Sequence, residues 1–282
     1  MTKVKILSDS TSDLPNEILE KYDISIVPLY VNLNGEVLPD NRVDITPQII
    51  YESVQKTSVL PGTIGVPVED FRTEFEKWRS QGYEIVCHTI SSDMSCTYQN
   101  AKIAAEEMDG VYLVDSRSLS TGVGLLVVHS AELAQKGLSA QEIANNTLAL
   151  VPKVSASFII DSLDYLKKGG RCSTLAALGA NLLKIKPMIV VEKGNMKVGH
   201  KFRGLLPKVL EEYVDNQLED QKDIDTHRIF ITHTGCSPDI IAAVRKRIEK
   251  HHRFDEILES TAGATITSHS GPNTLGILFL HQ

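Results

Sequence analysis

The chain has 282 residues, of which 42% are hydrophobic and 23% charged, and its formal net charge is −7 at pH 7. This length suffices for one large or two medium domains with a buried core, and the acidic charge argues against nucleic acid as a partner. No apolar run approaches the roughly 18 residues of a membrane-spanning helix, so we do not expect an integral membrane protein. The N-terminus starts as a strand rather than a signal peptide. The four cysteines are scattered and lack metal-ligand spacing, which is typical of reduced thiols. Reduced thiols predict a cytoplasmic protein.

Short apolar runs that end in small polar residues recur along the chain. They lie at residues 4–11, 84–92, 111–116, 158–161, 228–235 and 265–271. Such runs are typical of strands covered on both faces, as in parallel sheets. Helical patterns lie between them, at residues 46–56, 121–150 and 238–250. Thr46 before Pro47 predicts one helix start, and the capping box from Ser139 to Glu142 predicts another. This alternation predicts an α/β fold with mainly parallel sheets and right-handed crossovers.

Pro152 follows the long helical pattern and marks a possible domain junction. We therefore predict an N-terminal α/β domain over residues 1–152 and a C-terminal α/β domain over residues 153–282. Within the second domain, the apolar segments 188–192 and 196–200 flank a turn that contains glycine. That arrangement predicts a β-hairpin.

Familiar motifs of enzymes and cofactor sites are absent from the sequence. It contains no GxSxG, HExxH, GxxxxGK[ST] or GxGxxG pattern. Its nine histidines show no metal-ligand spacing. We therefore expect neither a metal nor a cofactor.

Hydroxyl groups and histidines collect where the predicted strands end. In parallel α/β sheets these ends face a ligand crevice, where helix N-termini offer N–H donors to an anion. The richest segment, residues 90–101, contains Ser95, which is either a helix N-cap, the interpretation that spacing favours, or an anion-binding hydroxyl. Thr63 lies in a loop rich in Pro and Gly, and His269 in a turn, where it is either a satisfied polar group or a ligand group. These residues alone predict an anion-binding crevice.

Positive charge is concentrated between residues 167 and 208. This segment has ten Lys or Arg residues and one acid, Glu192, for a net charge of +9, and the remainder of the chain carries −16. A block of one sign is either a solvated face or a site for an anion or a partner.

Six segments in register identify a family resemblance. They are residues 9–14, 91–98, 115–118, 163–171, 183–187 and 268–271. Together they resemble the DegV family, which includes the FakB-type fatty-acid-binding subunits of bacterial fatty acid kinase. The match spans nearly the whole chain.

The resemblance implies two α/β domains with a lipid tunnel between them. The bound ligand would be a long-chain fatty acid such as palmitate, stearate or oleate, with its carboxylate on Ser95, Thr63 and His269. A protonated His269 would help most to neutralise it. The protein would be a carrier and not an enzyme, and it would present the fatty acid to a separate fatty acid kinase subunit for phosphorylation. Arg171 and Arg203 would serve docking of that kinase.

The chain departs from the family pattern in two places. The usual TSQP becomes Thr63-Ile64-Gly65-Val66, which removes a hydroxyl and reshapes the loop. The usual SGT becomes Ser95-Cys96-Thr97, which puts a β-carbon where glycine allows close backbone approach. We expect both changes to alter the geometry around the carboxylate.

Two other functions fit the residues. One is a lipid acyl hydrolase or transferase with Ser95 as nucleophile and His269 as base, although no acid near in sequence would orient that histidine. The other is an α/β module that binds a phosphosugar or nucleotide through the basic segment.

Overall fold

The computed structural model describes residues 3–172, 174–175 and 185–282. The strands are β1 (Lys3–Asp9), β2 (Ser25–Val27), β3 (Tyr30–Leu33), β4 (Glu36–Pro39), β5 (Gly62–Ile64), β6 (Tyr83–Thr89), β7 (Val111–Asp115), β8 (Val154–Ile159), β9 (Ile185–Glu192), β10 (Asn195–Arg203), β11 (Ile224–His233), β12 (Glu256–Thr261) and β13 (Leu275–His281). The α-helices are α1 (Asn16–Lys21), α2 (Pro47–Thr57), α3 (Val68–Ser80), α4 (Thr97–Ala105), α5 (Thr121–Gln135), α6 (Ala140–Leu150), α7 (Asp164–Gly169), α8 (Leu206–Leu218), α9 (Pro238–His251) and α10 (Ala264–Ser270).

The first sheet has four parallel strands in the order β2-β1-β6-β7. Its central strands are buried on both faces, since Leu7 and Ile85 pack with α3 and α4 while Ile6 and Val86 pack with α5 and α6. This two-sided burial explains the unbroken apolar runs in the sequence. The α/β class and the parallel pairing predicted for this half of the chain are confirmed.

The second sheet has six strands in the order β10-β9-β8-β13-β11-β12. Only β11 and β12 pair in parallel, and the other four pairings are antiparallel. The prediction of mainly parallel sheets is therefore wrong for this half. A short turn such as that between β9 and β10 permits only antiparallel pairing, and β13 inserts antiparallel between β8 and β11. The β9–β10 hairpin itself was predicted correctly.

Residues 265–271, predicted as a strand, are instead helical. They fall almost entirely in α10, whose first N–H groups, those of Ala264 and Thr265, donate to the carboxylate of Asp40 at 2.9 Å. Ser268 stabilises the helix from inside by donating to the carbonyl of Ala264. The β-branched residues suggested a strand, but this remote cap favours a helix at the same place.

The predicted helix starts agree with the structure. Thr46 caps α2, and Ser139 with Glu142 forms the capping box of α6. The helical pattern over residues 121–150 is two helices, α5 and α6, separated by a turn at Gly137 with φ of 84°. A positive φ favours glycine, which explains the break.

A third, antiparallel sheet in the order β4-β3-β5 carries Thr63 on β5. Its strands and those of the four-stranded sheet all precede residue 150, whereas the six-stranded sheet is built from residues after it. The division into domains at residues 152 and 153 stays a prediction. Among the residues that the structure describes, no helix is both long enough and apolar enough to cross a membrane.

Candidate functional site

A cavity of about 330 Å³ lies among residues from both halves of the chain. Ligand pockets commonly measure about 300–1,000 Å³. Its apolar wall is formed by Leu29, Ile64, Ile90, Met94, Leu119, Phe158, Leu166, Met196, Ile266 and Leu278. The same cavity also has polar lining residues, so it can accept a molecule with an apolar body and a polar end.

Four of the five site residues predicted from the sequence line this cavity. We call Thr63, Ser95, Arg171 and His269 the polar cluster. The fifth, Arg203, is exposed at the end of β10 and does not line the cavity. Within the part of the chain that the structure describes, no group of three or more His, Cys, Asp or Glu residues could hold a metal ion.

Thr63 and His269 contact each other directly. The hydroxyl of Thr63 lies 2.8 Å from Nε2 of His269. The other ring nitrogen, Nδ1, lies so close to Gly169 that a β-carbon there would clash with it, and it has no partner among the described residues. A proton on Nε2 therefore gains an acceptor that a proton on Nδ1 would lack. In that tautomer, Thr63 accepts from His269 and can donate its own hydroxyl hydrogen to a ligand.

His269 is neutral in this environment. Burial, and to a smaller extent the positive charge of Arg171, lowers its pKa to about 4. The protonation of His269 in a complex with a carboxylate stays a prediction. The permanent positive charge of the polar cluster is the guanidinium of Arg171, which donates to the carbonyl of Gly169 at 2.6 Å and to that of Met94 at 3.4 Å.

Ser95 lies in the loop between β6 and α4. Its oxygen accepts from the backbone N–H of Thr97 at 3.3 Å and lies 2.8 Å from the Thr97 hydroxyl oxygen, which accepts from the N–H of Val66. When Thr97 donates to Ser95, the Ser95 hydroxyl is left to donate to another group. Ser95 thus combines contacts in the first turn of α4 with a position on the cavity wall.

The two departures from the family pattern face each other. A β-carbon placed on Gly65 would lie 2.9 Å from Sγ of Cys96 and 3.1 Å from Oγ of Ser95. In the TSQP and SGT pattern, a glycine stands at position 96 and a glutamine at position 65. In this chain the glycine is at position 65, and Cys96 stands at the other position. Gly65 therefore makes room for the side chain of Cys96, and the loop that carries Ser95 can keep its place.

Arg117 fixes the loop of Ser95 against the β9–β10 turn. Its guanidinium donates to both carboxylate oxygens of Asp93, at 2.7 and 3.0 Å, and to the carbonyl of Lys193 at 2.6 Å. Ser91 adds a 2.7 Å hydrogen bond to the carbonyl of Gly194. Arg117 has a φ of 50°, a conformation that costs about 1–3 kcal/mol outside glycine and persists only where contacts hold it. The motif at residues 115–118 is thus explained by its position between the two halves.

Buried carboxylates hold the helix that carries His269. Asp13 accepts from the N–H of Gly263 at 2.8 Å, and Asp40 accepts from the first N–H groups of α10. Burial raises the pKa of Asp13 to about 7 and that of Asp9 to about 6. Asp13 belongs to a motif of the resemblance. The role of Asp40 could not be predicted from the sequence, because a single Asp in a polar turn does not indicate which helix it caps.

The protein thus has an α/β fold with a cavity that can accept a molecule with an apolar body and a polar end. The DegV family model, described as an uncharacterised protein family, matches residues 3–282. The chain therefore belongs to the DegV family.

Similar proteins extend over nearly the whole chain. One is a protein of Thermotoga maritima named fatty acid-binding protein, 32% identical over 97% of this chain and 96% of its own. A solved structure described as fatty acid binding of a DegV family protein from Thermus thermophilus has a TM-score of 0.90 at 30% identity and covers 100% of both chains. A stearic acid-binding protein from Eubacterium ventriosum has a TM-score of 0.83 at 27% identity and covers 100% of this chain and 98% of that one.

Proposed function

We propose that this protein binds a long-chain fatty acid such as palmitate, stearate or oleate, with the carboxylate at the polar cluster. The observation that carries this proposal is a single cavity whose apolar wall leads to Thr63, Ser95, Arg171 and His269. The fatty acid-binding relatives support the same ligand class.

The energetics of such a ligand agree with this cavity. Burial of an acyl chain contributes roughly 0.8 kcal/mol per CH₂ before the costs of association. An unpaired buried carboxylate would be strongly unfavourable. The hydroxyl groups of Thr63 and Ser95 can donate to it, and Arg171, which is exposed and also lines the cavity, supplies the opposite charge. In its neutral form, His269 contributes by orienting Thr63.

The same geometry favours binding over acyl transfer. A serine nucleophile needs a base within hydrogen-bonding reach and a group that orients this base. His269 Nε2 contacts Thr63 rather than Ser95, and its Nδ1 has no acidic partner among the described residues. The apolar wall also fits an acyl chain better than a phosphosugar or nucleotide.

We further propose that the bound fatty acid is presented to a partner fatty acid kinase. Arg203 is exposed outside the cavity and is available to such a partner. Arg203→Glu should leave fatty acid affinity unchanged and impair acyl phosphate formation with the kinase. Arg171→Glu should weaken fatty acid binding itself, because Arg171 lies in the cavity wall. Equal lipid binding by wild type and Arg171→Glu would return Arg171 to a docking role.

The polar cluster is tested by titrating delipidated protein with palmitate. Ser95→Ala should weaken binding by about 1–3 kcal/mol, the cost of leaving a buried polar group without its partner. Ser92→Ala is the matched control, because Ser92 lies in the same loop but accepts from Arg117 outside the cavity. Unchanged affinity in Ser95→Ala would limit the role of Ser95 to its contacts with Thr97, because the N-cap of α4 is Cys96. Turnover of a fluorogenic ester that depends on Ser95 would favour the hydrolase instead.

A further inference from the structure

One hydroxyl in the cavity wall is unexplained by carboxylate binding. Thr265 on α10 is only 3% exposed, and its Oγ1 has no hydrogen-bond partner among the residues that the structure describes. We propose that Thr265 recognises an oxygen substituent, such as a hydroxyl, on the fatty acid chain near its carboxyl end. This inference rests on the proposed function and names its ligand more narrowly.

The other hydroxyl groups of the cavity differ from Thr265. Within the described ranges, each of the seven remaining serine and threonine hydroxyls in the wall has a partner inside the protein. These seven are Thr63, Ser95, Ser120, Thr232, Thr234, Ser270 and Thr274. Thr265 differs from all seven because its Oγ1 has no partner among the described residues, so it can both donate to and accept from a ligand.

Thr265 is placed one helical turn from the polar cluster. It precedes His269 by four residues on α10, and side chains at this spacing are about 5–6 Å apart on one helix face. The backbone N–H of Thr265 donates to Asp40, which holds this turn of α10 in place. With the carboxylate at the polar cluster, Thr265 lies beside the first carbons of the chain.

The physical consequence is a preference between closely related ligands. A plain acyl chain leaves the Thr265 hydroxyl buried and unpaired, and that has a free-energy cost. A ligand hydroxyl near the carboxyl end removes this cost and satisfies its own hydrogen-bonding need. Sites built to bond a ligand hydroxyl discriminate more strongly than purely apolar pockets do.

The test compares palmitate, 3-hydroxypalmitate and omega-hydroxypalmitate on delipidated wild type and Thr265→Val. We expect wild type to bind 3-hydroxypalmitate more tightly than the other two. Thr265→Val keeps the shape but removes the hydroxyl, so its affinity for 3-hydroxypalmitate should fall about tenfold. Its affinity for palmitate should stay equal or rise.

Two control variants keep the result interpretable. Thr265→Ser retains the hydroxyl and should retain the preference. Thr267→Val removes a hydroxyl that is buried on the same helix but does not line the cavity, and it should bind all three acids as wild type does. Equal loss of all three acids in Thr265→Val, or no preference in wild type, would overturn the inference. If wild type binds none of the three, the proposed function itself fails.

Discussion

Two polar regions of this protein both include small polar residues that follow a buried strand, but they differ in whether their polar groups bond within the protein or face a cavity. The polar cluster includes Ser95, from the loop after β6. A second group, the carboxylate cluster of Asp9, Asp13 and Asp40, includes two residues at the end of β1. Both contain runs of small polar residues that follow a buried strand.

The difference between the clusters lies in where their hydrogen bonds go. All six carboxylate oxygens of the carboxylate cluster accept at least one hydrogen bond from within the protein. In the polar cluster, the hydroxyls of Thr63 and Ser95 lie on the cavity wall and can donate to a ligand. The carboxylate cluster therefore joins distant parts of the chain, and the polar cluster is left to bind.

The largest effect should come from breaking the carboxylate cluster. Asp40→Ala leaves the N–H groups of Ala264 and Thr265 buried without acceptors, and each such group costs about 1–3 kcal/mol. We expect a lower free energy of unfolding in urea and, because α10 carries His269, weaker palmitate binding. Asp40→Asn keeps one acceptor oxygen and should lose less. Wild-type stability in Asp40→Ala would show that this cap does not hold α10.

A smaller effect should follow from closing the space at Gly65. Gly65→Ala places a β-carbon against Cys96 and Ser95, and overpacking of this kind typically costs about 1–3 kcal/mol. We expect palmitate affinity to fall because the loop of Ser95 must move. The second substitution Cys96→Gly should relieve part of this loss in the double variant. Calorimetric titration of wild type, both single variants and the double variant measures these affinities. If Gly65→Ala has the same effect with and without Cys96→Gly, Gly65 does not make room for the side chain of Cys96.

The smallest effect should be that of pH on binding. The pKa of His269 is lowered to about 4, so its charge does not change between about pH 6 and pH 8. A histidine with a raised pKa would instead strengthen carboxylate binding as pH falls through that pKa. We expect the pH profile of palmitate affinity to be the same in wild type and His269→Gln over this range. A several-fold gain at the acidic end in wild type alone would mean that His269 is charged in the complex.

Local signals were sufficient for much of the fold. Patterns among neighbouring residues were enough to predict the strands β1, β6 and β7, the β9–β10 hairpin, the cap at Thr46 and the capping box at Ser139. The helix α10 could not be predicted in this way. Its stabilising acceptor, Asp40, lies 224 residues before Ala264.

The site was predictable only in part, for the same reason. Composition and spacing indicated an anion-binding crevice, and the family resemblance selected Thr63, Ser95 and His269. The hydrogen bond between Thr63 and His269 joins residues 206 positions apart, and no local pattern encodes it. The placement of Arg171 in the cavity and the contact of Gly65 with Cys96 likewise depend on long-range packing. Residues 183 and 184, in a resemblance motif and the basic segment, lie outside the described residues.

The most direct test of the fatty acid-binding proposal is native mass spectrometry of the purified protein, followed by organic extraction. We predict an added mass that disappears on extraction and matches a long-chain fatty acid in the extract. The delipidated protein should then rebind palmitate or oleate in one-to-one stoichiometry. Absence of any acyl chain, together with no binding of either acid to the delipidated protein, would contradict the proposal.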